Sequence, residues 1–65
     1  MSIFEQRVRS AVSERDLAIL GLYFYYGYTD TEIGEMLGGV KRKTVAMARF
    51  TALKRLNAIY RELMV

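Results

Sequence analysis

The stretch TDTEIGEMLGGVKRKTVAMARFTALKRL, from Thr29 to Leu56, decides the fold. It opens as a capping box: Thr29 offers a hydroxyl acceptor to a free backbone N–H, and Glu32 reaches back to the Thr29 amide. Asp30 and Glu32 also suit the positive end of a helix dipole. Ile33, Met36 and Leu37 then fall on one helical face and are expected to point inward. Gly34 lies where this helix would cross the next, and a small residue there lets the backbones approach. Gly38-Gly39 ends the helix, because a turn between nearly perpendicular helices needs a positive φ angle. Val40 is expected to plug the core from that turn.

A longer helix follows, from about Arg42 to Leu63, about 22 residues and roughly 33 Å in length. Its expected apolar stripe is Val45, Ala48, Ala52, Leu53, Leu56, Ile59, Tyr60 and Leu63. Opposite it near the N-terminal end lie Arg42, Lys43, Ala46, Met47, Arg49 and Phe50. The helix opens on Lys41-Arg42-Lys43, three cations that oppose the positive dipole end and that an ordinary solvated helix would avoid. Phosphate or base contacts explain them, since the same end attracts anions. A short capped helix, a glycine turn and a long basic helix give the sequence shape of a helix-turn-helix, whose second helix enters the DNA major groove.

Upstream, Ser13-Glu14-Arg15-Asp16 reads as another helix start, with Ser13 as cap and acids in the first turn. That helix should run to about Tyr26, with Gly27 as a left-handed stop. Its body, LAILGLYFYY, is apolar on nearly every side and is expected to sit centrally, touched by the other helices. Gly21 costs roughly 1 kcal/mol against alanine, so close helix approach is expected there. Tyr23, Tyr25, Tyr26 and Tyr28 invite a base-stacking reading, but no basic residues are interleaved with them. Core packing with the hydroxyls at the edge is preferred, and a surface for a partner protein comes second.

Residues 2–12 place Ile3, Phe4, Val8, Ala11 and Val12 at helical spacing. Such a short amphipathic helix needs something to dock on, and core cover is preferred over a dimer contact. At the other end the stripe continues through Ile59, Tyr60, Leu63 and Met64, further than a minimal three-helix unit requires. Either the first helix folds back on this tail or two chains pair through it.

Sixty-five residues make one expected domain, with a hydrophobic share of 52% and neither Cys nor His. Disulfides, the usual zinc sites, thiol nucleophiles and Ser-His-Asp triads are therefore absent. No apolar run approaches the ~20 residues of a membrane span, so the expected location is cytoplasmic. The net charge of +3 is polarised, at −3 over residues 1–40 and +6 over residues 41–65. One face is thus expected to meet a polyanion. Asp30, Glu32 and Glu35 are the nearest thing to a catalytic cluster, and capping explains two of them. No enzyme, cofactor, metal or small-molecule substrate is expected.

From Ser13 to Leu56 the chain resembles region 4 of sigma-70-type transcription factors, and more loosely the LuxR-type regulators. The resemblance is carried by Ser13-Glu14-Arg15-Asp16-Leu17, Leu22-Tyr23-Phe24-Tyr25-Tyr26-Gly27-Tyr28-Thr29, Glu32-Ile33-Gly34-Glu35-Met36-Leu37-Gly38, Thr44-Val45 and Ala52-Leu53-Lys54-Arg55-Leu56. It implies a helix-turn-helix that reads a promoter element and touches RNA polymerase. By position, Arg42, Lys43, Ala46, Met47 and Arg49 would fall on the DNA-facing part of the recognition helix. The chain departs from the family pattern in three places: Gly39 is an extra residue in the turn, Lys41 replaces a Ser or Thr cap, and Ala46 and Met47 stand where polar base readers are common. Nothing resembles the other promoter-binding region of such factors, so a complete sigma factor is not expected.

The expectation is an all-α, four-helix domain with helices at about 2–12, 14–26, 30–37 and 42–63, serving as a DNA-binding transcriptional regulator. Lys41, Arg42, Lys43, Arg49 and Lys54 would meet phosphates or guanine, Thr44 a phosphate, and Met47 or Phe50 a thymine methyl. Ala46 completes the expected contact surface. Double-stranded DNA is the expected partner, with a homodimer through Ile59, Tyr60, Leu63 and Met64, or RNA polymerase, alongside. The alternative is a sigma-like or anti-sigma-like adaptor that docks on polymerase or another regulator through the tyrosine-rich helix.

Overall fold

Three serine and threonine hydroxyls set where three of the helices begin. Ser2, Ser13 and Thr29 each accept a hydrogen bond from the backbone N–H three residues on, so each satisfies one of the donors a helix start leaves open. The helices they start are α1 (Ile3–Ala11), α2 (Glu14–Leu20) and α3 (Asp30–Met36), and the long α4 (Arg42–Met64) follows. The computed structural model describes residues 1–64.

At Thr29 the capping box is complete: the Glu32 N–H donates to Oγ1 of Thr29 at 3.2 Å and the Thr29 N–H donates to Glu32 Oε1 at 3.0 Å. Hydrogen bonding of the Glu32 carboxylate to the Thr29 amide, then to the Thr29 hydroxyl, holds that carboxyl below its ordinary range. A depressed folded-state value makes this contact stabilising above the unfolded-state value of about 4.3, with the benefit lost as pH falls through the lower folded value. The thermal midpoint of Glu32→Ala should therefore lie below that of the parent at neutral pH. The gap should narrow as melts are repeated at successively lower pH; a gap that stays constant would assign the effect to something other than the carboxylate.

α4, not α2, is the helix on which the other three pack. At 23 residues it is long enough to carry a different partner on each part of its length. Ile19, Ile33 and Val45 form one fully buried cluster, closed by Leu22, Tyr23, Leu37, Val40 and Ala48. Val12, Leu20 and Ala52 form a second, with Ala11, Leu17 and Leu56 against it. Val8 and Ile59 extend the core toward the tail of α4. The buried positions of α4 are thus Val45, Ala52 and Ile59, seven residues apart. The apolar stripe is narrower than the sequence implies. Leu53 and Tyr60 are exposed, as is Met36 of α3, because three short helices cover only one sector of α4.

The tail is covered from within the chain. α1 folds back on it, burying Val8 and Ile59, pairing Arg7 with Glu62, and receiving on the Ala11 carbonyl a 3.2 Å hydrogen bond from Arg55. Ile59 is therefore not available for pairing two chains, whereas Tyr60 and Met64 remain exposed.

After Leu20 the second helix widens into a π-helical segment, Gly21–Tyr25, closed by the Tyr26 N–H on the Gly21 carbonyl at 3.1 Å. A wider turn shifts the register of successive side chains. Leu22 and Tyr23 stay against the core while Phe24, Tyr25 and Tyr26 leave it, Tyr25 being 81% exposed. Core packing thus holds for Tyr23 and fails for Tyr25, Tyr26 and Tyr28. The close helix approach expected at Gly21 is also absent, since a Cβ built there meets nothing within 4 Å. Gly27 does end the segment with φ +78°.

Candidate nucleic-acid interface

The geometry of the helix-turn-helix begins with how α3 stops. The Gly38 N–H donates to the Glu35 carbonyl and the Gly39 N–H to the Gly34 carbonyl, the paired bonds of a Schellman motif. Both glycines have positive φ, +89° and +101°. The Val40 N–H also donates to the Gly34 carbonyl, at 2.9 Å, which folds the turn back over α3. Gly34 is what makes room: a Cβ there would stand 2.0 Å from the Val40 carbonyl oxygen and 3.6 Å from Cγ2 of Val45. Gly39 is thus accommodated in the turn, and Val40 reaches the core.

α4 then starts without a polar cap. The Lys41 carbonyl accepts the first helical bond, from Val45, but a lysine side chain has no acceptor to offer the first N–H groups. Lys41, Arg42, Lys43 and Thr44 are all exposed at this end. Further along, Met47, Phe50 and Lys54 are exposed, and with Lys43 they fall at steps of four, three and four residues, one stripe of an α-helix. Ala46 is half-buried beside a shallow cleft lined by Asp30, Arg42 and Lys43.

Arg49, expected to meet DNA, is engaged within the fold. Its Nε and Nη2 donate to the two carboxylate oxygens of Asp30, at 3.1 and 2.8 Å, a bidentate pair that ties the first turn of α3 to α4. Its guanidinium lies 3.9 Å from the centroid of the Tyr23 ring and 5.0 Å from that of Phe50. The hydrogen bonding to Asp30 raises its affinity for the proton, against partial desolvation. The side chains of Arg49 and Asp30 are only 12% and 15% exposed. The cation is spent inside the fold.

Residues not singled out in the sequence border the same surface. A groove between the start of α2 and α4 is lined by Arg15, Asp16, Thr44, Met47, Thr51 and Arg55. Thr51 and Arg55 lie seven and eleven residues beyond Thr44, a helical spacing that would have found them. Arg15 comes from another helix, and only the packing brings it alongside. Among the described residues no three His, Cys, Asp or Glu side chains are grouped to hold a metal ion, and no helix is long and apolar enough to cross a membrane.

Residues 10–58 match the family model described as Sigma-70, region 4. No curated protein and no solved structure matches the chain. The match takes in the end of α1, α2, the capped α3, the glycine turn and most of α4, and leaves out the mutually packed start of α1 and tail of α4. With this match over most of its length and four helices built around that turn, the chain belongs to the sigma-70 region 4 family, a helix-turn-helix DNA-binding region.

Proposed function

We propose that this chain is a transcriptional regulator that binds duplex DNA by laying the first turns of α4 in the major groove. The observation that carries the reading is the exposed start of α4, where Lys41, Arg42 and Lys43 accompany the backbone donors that any helix start leaves without an intrahelical partner. Cations there destabilise an isolated helix and become favourable once phosphates approach. Arg42 meets guanine, and Lys43 and Lys54 supply phosphate contacts with Thr44. One module of this size covers a single half-site, so useful affinity comes from a second copy or from RNA polymerase alongside. Pairing would use Tyr60, Leu63 and Met64, and sedimentation of the free chain and of the DNA complex would count the copies.

A salt titration of duplex binding tests the reading. Affinity should fall steeply as salt rises, and Arg42→Ala with Lys43→Ala should weaken binding at least tenfold and lower the salt slope by about 2. Affinity indifferent to salt, or untouched by the double substitution, would sink it. The exposure of Phe24, Tyr25 and Tyr26 favours a second reading, an adaptor that docks on RNA polymerase or another regulator. A chain that gives no gel shift with any duplex but co-sediments with polymerase, and loses this with Tyr25→Ala and Tyr26→Ala, would select it.

A further inference from the structure

The stripe Lys43, Met47, Phe50 and Lys54 carries no side chain that tells bases apart by a two-bond hydrogen-bond pattern, the polar Thr44, Thr51 and Arg55 lying on its flank toward α2. Lysines at its two ends act as point charges suited to phosphates, which carry no sequence information. Arg49 is held by Asp30, and Ala46 has no polar atom. Between Lys43 and Lys54 the stripe carries Met47 and Phe50, each 62% exposed. Neither packs in either buried cluster of the core. Two large apolar side chains bracketed by cations need an apolar partner within a polyanionic one. In the major groove that partner is the C5 methyl of thymine.

The dimensions agree. Lys43 and Lys54 lie eleven residues apart, roughly 16 Å along the helix, enough to bracket a groove about 12 Å wide. Met47 and Phe50 are separated by roughly 4.5 Å of rise, between one and two base-pair steps of about 3.4 Å.

We infer that Met47 and Phe50 read the pattern of C5 methyl groups in the major groove, so the chain selects sites by methyl content and accepts 5-methylcytosine in place of thymine. This rests on the placement of α4 proposed above. Arg42, five residues before Met47 and off its stripe, leaves a guanine contact at the N-terminal edge of the methyl-reading segment.

The test uses the full chain and duplexes it enriches from a random pool, resynthesised with one thymine at a time replaced by deoxyuridine. This removes the methyl and leaves the hydrogen-bonding edge intact. At one or two neighbouring positions the replacement should weaken binding about fourfold each, the value of one buried methyl group. The loss should vanish in Phe50→Ala or Met47→Ala and persist in Phe50→Leu. At the same positions a 5-methylcytosine–guanine pair should bind several-fold better than its unmethylated form. Both side chains are exposed, and unchanged circular dichroism would show the variants folded. Uniform affinity across every deoxyuridine replacement, or a loss unchanged in both alanine variants, overturns the inference and leaves DNA binding standing. Failure to enrich any duplex, with no salt-sensitive binding, overturns both.

Discussion

Gly34→Ala should lower the thermal midpoint by roughly 10–20 °C, the consequence of forcing about 2–3 kcal/mol of overpacking into a domain of this size. At an ordinary helical position the same change would stabilise, since alanine is favoured over glycine by about 1 kcal/mol. Here the added Cβ would sit 2.0 Å from the Val40 carbonyl oxygen and 3.2 Å from its carbon, and both are backbone atoms. The turn cannot swing aside, because the Gly34 carbonyl holds the amides of Gly39 and Val40 at 3.0 and 2.9 Å. Relief must break those bonds or push α3 off Val45, whose side chain is fully buried. Thermal or urea unfolding measures the change, and a variant melting within about 2 °C of the parent would refute the close approach. DNA affinity should fall with stability, since the same contact fixes how α4 leaves the turn.

Asp30→Ala should destabilise by about 2 kcal/mol, because it leaves a guanidinium largely out of water without its carboxylate. Arg49→Ala should cost somewhat less, since Asp30 lies at a helix N-terminus that still favours it. The double variant should be milder than the two single effects added, with a coupling of roughly 1–2 kcal/mol in a double-mutant cycle. Additive effects would mean that the 2.8 Å contact contributes nothing. The pair also separates two roles for Arg49. If it met a phosphate, Arg49→Ala would lower the salt slope of DNA binding by about 1, and Asp30→Ala would raise affinity by releasing it. As a clamp it leaves the slope unchanged, and Asp30→Ala weakens binding by loosening the crossing of α3 and α4. Titrations of both variants at one temperature below their midpoints decide between these outcomes.

Much of the helix-turn-helix was legible at Thr29, Glu32, Gly38 and Gly39, because caps and left-handed stops are satisfied by atoms within a few residues. The seven-residue recurrence of Val45, Ala52 and Ile59 was likewise visible, and these are the residues α4 buries. Leu53 and Tyr60 stand one residue, about 100°, beyond Ala52 and Ile59, and like Met36 of α3 they are apolar yet exposed. Periodicity gives the direction of an apolar face but not its width, which depends on how many partners reach it. That Gly38 and Gly39 would end α3 was plain in the sequence, whereas the shared bonding of the Gly39 and Val40 amides to the Gly34 carbonyl was not.

By itself, then, the sequence determined the helices, their caps, the glycine turn and the charge gathered at one end, since each of these rests on neighbours along the chain or on helical period. Tertiary structure decided which of those side chains remain free. Arg49 finds Asp30 nineteen residues away, and Arg55 finds Ala11 forty-four away. Arg7 of α1 meets Glu62 and closes the tail. A π turn carries Phe24, Tyr25 and Tyr26 out of the core. A long side chain has many partners within its reach, and which one it takes depends on how the helices cross.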